Sequence, residues 1–147
     1  MSAKYPIHIH RREDATGGAP KFLATTALVK LAAAPADTQA QLHELAAAYT
    51  RTLGEAHAHL EIAQRETRER ARAYWRVAQT LHAFEATLDA AGFYLAQQTE
   101  TFARDLGMHP GALRKIFTFH KKISDPNQID PSVRWSHYSE RRTRERK

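Results

Sequence analysis

The chain has 147 residues, of which 42% are hydrophobic and 26% are charged, a composition typical of one folded domain and not of a disordered segment. It contains no cysteine, which excludes disulfides, thiolate metal sites and cysteine nucleophiles. The net charge is +6 and comes entirely from residues 110–147, because 1–63 and 64–109 are each balanced. Such a local excess of positive charge is typical of a segment that meets a polyanion, although a solubilising tail has the same composition.

Residues 1–20 are predicted to form a flexible N-terminal arm. The segment 5–10 is extended in character, and Gly17-Gly18 interrupts the chain before Pro20. The first residues lack the apolar core of a signal peptide, and no apolar run approaches the roughly 18 residues that a membrane span needs. We therefore expect a cytoplasmic protein with no membrane partner.

Residues 21–90 are predicted to form a helical arm that serves dimerisation. A short helix is expected from Lys21 to Ala34, ending at Pro35, and Asp37 or Thr38 is expected to cap the next one. The apolar residues of the short helix are Phe22, Leu23, Leu28, Val29 and Leu31. In the next, long helix, apolar residues recur at spacings of three and four and form one stripe, namely Leu42, Leu45, Tyr49, Leu53, Ala56, Leu60 and Ala63. The long helix is expected to break near Gly54 or in the charged run 64–72, or to pair along its stripe as a homodimer.

Residues 91–140 carry the spacing of a helix-turn-helix, and 141–147 form a basic tail. Gly92 is expected to end the long helix. Ala103 provides a small residue for a close helix crossing, Gly107 suits a tight turn four residues later, and Pro110 suits the first turn of a second helix reaching about His120. Apolar side chains occupy the wedge between the two helices, namely Phe102, Leu106, Met108, Leu113 and Ile116.

The second helix of this motif would lie in the major groove of DNA. Arg114 or Lys115 could read guanine edges, Ala112 could touch a thymine methyl, and Lys121 and Lys122 could meet phosphates. Leu113, Ile116, Phe117 and His120 would point inward. The full set of predicted DNA-binding residues is Gly111, Ala112, Arg114, Lys115, Thr118, Lys121, Lys122, Arg134, Arg141 and Arg142.

Three segments resemble one known family. They are residues 73–77, which contain Tyr74-Trp75, the region 99–120, and Arg134-Trp135-Ser136-His137-Tyr138. Together they are similar to the helical N-terminal domain that precedes PD-(D/E)XK restriction-like nucleases and to related DNA-binding domains. The resemblance spans roughly residues 70–140 and implies DNA binding. Nuclease activity is not expected, because the catalytic domain would have to follow residue 147. Trp135 and Tyr138 are expected to pack against the helix-turn-helix.

The sequence therefore predicts an all-α protein with a long central helix and a C-terminal helix-turn-helix. Its expected function is sequence-specific binding of double-stranded DNA, as a dimeric transcriptional regulator or a plasmid or phage accessory factor. No cofactor, metal or enzymatic activity is expected, since the close pairs His8/His10 and His57/His59 lack a metal-binding motif. The main alternative is a helical adaptor or inhibitor whose basic end meets an acidic protein. A metal-responsive regulator is a further, weaker alternative.

Overall fold

A computed structural model describes residues 4–12, 21–27, 30, 32 and 35–138. Within them, four α-helices pack with a three-stranded mixed sheet. The fold is therefore α+β, and the prediction of an all-α protein is wrong. Three sets of predicted residues lie outside the described ones: the flexible break at 15–20, the helical residues Leu28, Val29 and Leu31, and the basic tail at 141–147.

The N-terminal segment is the central strand of the sheet. Strand β1 (Tyr5–Arg12) pairs antiparallel with β2 (Lys21–Thr26) and parallel with β3 (Phe93–Leu95), which gives the order β2-β1-β3. Ile7 and Ile9 are buried against the helices, whereas His8 and His10, which alternate with them, are exposed. This alternation has the period of two that places successive side chains on opposite faces of a sheet. The prediction of a flexible arm is wrong for these residues.

The helix predicted to begin at Lys21 is also wrong at its start, because Lys21–Thr26 is a strand. Phe22 lies half-buried on the inner face, whereas Leu23 is 47% exposed on the other. The ladder to β1 places Ile9 opposite Ala24, so the backbone groups of β2 that face β1 find their partners in a strand some fifteen residues away. Tertiary pairing overrides the local apolar spacing.

Two long helices fold back on each other. Helix α1 (Pro35–Arg65) begins two residues before the predicted caps, and α2 (Arg70–Ala90) follows Glu66 and a 3₁₀ turn at Thr67–Glu69. The predicted break in the charged run is confirmed, and Gly54 lies inside α1. The whole long apolar stripe is buried within the chain, so it offers no surface for the predicted homodimer.

Helix α2 ends at Ala90, and Gly92 adopts a left-handed φ of 84°, as the sequence predicted. The chain then enters the short strand β3, which the sequence did not reveal. Helices α3 (Gln98–Leu106) and α4 (Pro110–Lys122) follow. Among the helices in these described stretches, none combines the length and the apolarity needed to cross a membrane.

A polar network centred on the buried Tyr49 and Asp105 joins α1, α3 and β1. The Tyr49 hydroxyl donates to Asp105 Oδ2 at 2.6 Å. Arg104 donates to both carboxylate oxygens of Asp105, from Nε to Oδ1 at 2.8 Å and from Nη2 to Oδ2 at 2.9 Å. Arg104 Nη2 also donates to the Ile9 carbonyl at 2.9 Å. Burial, together with the hydrogen bond to Asp105, raises the pKa of the Tyr49 phenol above its usual value, so this group stays protonated and remains a donor.

We expect Asp105→Ala to lower the free energy of unfolding by about 2 kcal/mol or more, because it leaves the buried Tyr49 hydroxyl without its acceptor. Urea denaturation measures this loss. Asp89→Ala is the matched control, since its ion pair with Lys4 is exposed and should cost less than about 1 kcal/mol. Equal losses in the two variants would show that the Asp105 network does not stabilise the fold.

Candidate nucleic-acid interface

A tight three-residue turn fixes α4 against α3. Gly107 has a φ of 70°, and its amide donates to the Arg104 carbonyl at 3.3 Å. The Met108 amide donates to the Ala103 carbonyl at 2.8 Å, so the last carbonyls of α3 are satisfied by a Schellman motif. The predicted turn at Gly107 is confirmed. Ala103 is fully buried, as the close contact between the helices requires.

Helix α4 begins at Pro110, as predicted, and extends two residues past His120. His109 precedes it in an extended conformation, and its ring Nδ1 accepts the Gly111 amide at 3.0 Å. A Cβ on Gly111 would lie 3.1 Å from that Nδ1, so the small residue fits closely against the cap. The imidazole cap and the proline together define where the helix starts.

The inner face of α4 agrees with the sequence in part. Leu113 and Ile116 are buried in the main core, whereas Phe117 and His120, also predicted to point inward, are only half-buried. Phe119 is buried as well, although it was not among the residues predicted to point inward. It packs against Trp135 and Tyr138, with ring centroids 5.1 Å away in each case. The predicted packing of these two aromatic residues against the second helix is confirmed.

The outer face of α4 groups most of the predicted DNA-binding residues. On a helix with 3.6 residues per turn, Gly111, Arg114, Thr118 and Lys121 follow one another along a single stripe, and Lys115 and Lys122 flank it. Arg114, Lys115, Lys121 and Lys122 are exposed, as is Ala112, whereas Gly111 and Thr118 are half-buried. The thirteen residues of α4 include four Lys or Arg and no Asp or Glu.

Arg114 has a partner that the sequence did not reveal. Its Nη2 lies 3.0 Å from Glu100 Oε1 in the first turn of α3, and both side chains are more than half exposed. An exposed pair of this kind contributes roughly 0–1 kcal/mol. Glu100 therefore leaves Arg114 able to exchange partners, but it places a negative charge beside the outer stripe.

The remaining predicted contacts differ in position. Lys121 and Lys122 occupy the last turn of α4, where the helix dipole favours positive charge. Arg134 is exposed and immediately precedes a helical turn at 135–138, apart from the outer stripe along the chain. Arg141 and Arg142 lie outside the described residues.

The rear of α4 is anchored by aromatic contacts. Trp75 on α2 donates from Nε1 to the Ile123 carbonyl at 2.6 Å, just beyond the end of α4. Tyr74 lies 4.7 Å from Trp135 between ring centroids. The three segments that carry the family resemblance therefore meet in space. This packing fixes the orientation of α4 and leaves its basic side outward.

Four rings form a continuous row between α2 and α4. Ring centroids are 5.0 Å apart from Phe117 to His82, 5.0 Å from His82 to His120 and 4.6 Å from His120 to Trp75. His82 Nδ1 also lies 3.3 Å from Glu85 Oε2. Burial lowers the pKa of His120 below its usual 6.5, and the nearby His82 lowers it further.

In the described part of the chain, no three His, Asp or Glu side chains are grouped so that they could hold a metal ion. His8 and His10 stack with their centroids 6.4 Å apart on the exposed face of β1. His59 on α1 has a buried Nδ1 without a hydrogen-bond partner among the described residues. These histidines do not converge on one position.

Comparisons of the chain with protein-family models, with curated proteins and with solved structures gave no match.

The lowered pKa of His120 gives stability a pH dependence. The unfolded chain binds a proton at this position more readily than the folded chain, so stability falls as the pH drops below about 6.5. His120→Gln should lose less unfolding free energy between pH 7.5 and pH 5 than the parent protein. Urea titrations at both pH values measure the difference, with the exposed His43→Gln on α1 as control. A parent-like loss in His120→Gln would contradict this assignment.

Proposed function

We propose that this chain is a cytoplasmic, sequence-reading DNA-binding protein that lays the outer face of α4 in the major groove, and that it acts by binding and not as an enzyme. The observation that carries the proposal is the basic, carboxylate-free outer face of a helix whose opposite face is anchored. The unit from α3 through the turn to α4 has the element order and the tight glycine turn of helix-turn-helix proteins.

The exposed side chains of α4 suit two kinds of DNA contact. Arg114 and Lys115 project from the first half of the helix, as a base-reading residue must, and a guanidinium or ammonium group can pair with the O6 and N7 of guanine. Lys121 and Lys122 stand about two turns further on and suit phosphates, which orient the protein but carry no sequence information. The family resemblance of residues 70–140 favours the same function.

Dimerisation remains a prediction. Two copies on a palindrome would place their reading helices about 34 Å apart. The apolar stripe of α1 cannot hold such a dimer together, because it is buried within one chain. A dimer would require a different surface.

Replacing the two proposed base-reading residues tests the interface directly. Arg114→Ala/Lys115→Ala should weaken binding to the preferred duplex about tenfold or more, because one good base contact contributes about 1–3 kcal/mol of discrimination. Fluorescence anisotropy with a preferred and a scrambled duplex, over a series of salt concentrations, measures both affinity and preference.

The matched control is Arg51→Ala/Arg65→Ala, which removes the same charge from exposed positions on α1. Equal weakening by the two double variants would point to non-specific charge attraction. No binding of the parent protein at low salt would reject the proposal and favour an acidic protein as the partner of α4.

The ion pair between Glu100 and Arg114 gives a prediction of the opposite sign. Glu100→Gln should tighten DNA binding by roughly threefold, because it removes a negative charge beside the outer stripe and releases Arg114. The same anisotropy assay applies, and Glu61→Gln, at an exposed position on α1, has the same change in net charge. If Glu61→Gln tightens binding equally, Glu100 has no special place at the interface.

A further inference from the structure

A cleft is lined by side chains of α2 and α4, beside the proposed DNA-reading face. Its volume is about 780 Å³, which lies within the roughly 300–1,000 Å³ typical of small-molecule sites. The side chains that shape it include Trp75, Gln79, His82, Phe117, His120 and Lys121. Ile123 and Ser124, which follow α4, also line it.

The wall of this cleft is made of rings. Phe117, His82, His120 and Trp75 form the continuous row described above, with neighbouring centroids 4.6–5.0 Å apart. Trp75 is held in place by its hydrogen bond to the Ile123 carbonyl, so the wall is already formed. Offset or edge-on contacts with such a wall favour another flat ring over a flexible chain.

The charge of the cleft has one sign. Among the described residues that line it there is no Asp or Glu, and Lys121 supplies the one permanent charge. Glu85 contacts His82 but is not among the residues that line the cleft. Its carboxylate accepts a hydrogen bond from the Gln98 side chain. Gln79 and Lys121 are exposed at the rim, where an amide and an ammonium group can meet a carboxylate.

We infer that this cleft binds a small aromatic carboxylate, with its ring against the row of four rings and its anionic group at Lys121 and Gln79. The inference does not require DNA binding, although Thr118 and Lys121 belong both to the lining of the cleft and to the outer stripe. It assigns the two histidines a place in a ligand wall and not in a metal site.

The test uses the full chain without DNA and a fluorescent aromatic anion, 1-anilinonaphthalene-8-sulfonate. We expect saturable fluorescence enhancement with one site per chain. We expect 2-naphthoate to displace the probe, and its uncharged methyl ester to do so at least fivefold less effectively. No saturable enhancement, several equivalent sites, or equal displacement by acid and ester would overturn the inference.

Gln79→Glu sharpens the test, because it places a carboxylate in the cleft with almost no change in size. The dissociation constant of 2-naphthoate should rise roughly fivefold or more. Gln64→Glu, on the exposed side of α1, makes the same change in net charge elsewhere and should leave binding unchanged. Both positions are exposed, and thermal melting verifies that each variant is folded. Equal dissociation constants for the two variants would overturn the assignment of the site.

Discussion

The fold depends on one phenol. Tyr49 is fully buried near the middle of α1, and its ring contacts Phe22 of β2, Phe84 of α2 and Phe102 of α3 at centroid distances of 5.1–6.0 Å. Its hydroxyl donates to Asp105, which Arg104 connects to the backbone of β1. Three helices and β2 therefore meet at this residue, and Asp105 and Arg104 connect it to β1. A buried carboxylate is costly unless its oxygens are bonded, so the position of α3 is tied to the sheet and to α1.

The Tyr49 network also determines the position of α4, although it does not contact that helix directly. Helix α3 is fixed by Asp105 and Arg104, and the Schellman turn at Gly107 then fixes where α4 begins. On its other side α4 is held by Trp75 beyond its C-terminal end and by the packing of Phe119. A helix held in this way presents its outer side chains in one orientation. Such an orientation is what a base-reading helix requires.

The sequence predicted the parts of the structure that local rules decide. Gly107 and Pro110 mark a helix end and a helix start by backbone chemistry alone, and the apolar spacing from Leu42 onward predicts a buried helix face. The strands were missed because β2 and β3 exist only as partners of β1. Phe22-Leu23 fits a helix when it is considered alone. The alternation of Ile7 and Ile9 with histidines, followed by Gly17-Gly18, was the signal that could have revealed a hairpin.

In the candidate sites, too, the sequence predicted what local periodicity decides and missed the contacts between distant residues. The outer stripe of α4 follows from helical periodicity, so Arg114 and Lys115 could be predicted to lie together on an exposed face. Glu100 and Arg114 are fourteen positions apart on different helices, and no local pattern predicts their ion pair. Asp105 offered a weak signal, since a carboxylate between the buried Phe102 and Leu106 suggests a charge that is paired and not solvated.

Lys121 belongs both to the outer stripe of α4 and to the rim of the aromatic cleft. An anion held there would neutralise one of four cations on that helix, and DNA affinity would fall through the loss of one phosphate contact. Linkage makes the effect reciprocal, so DNA that engages Lys121 would weaken binding of the anion by the same factor. This coupling needs no movement of α4. If both proposals hold, the shared lysine alone would make a ligand in the cleft compete with DNA.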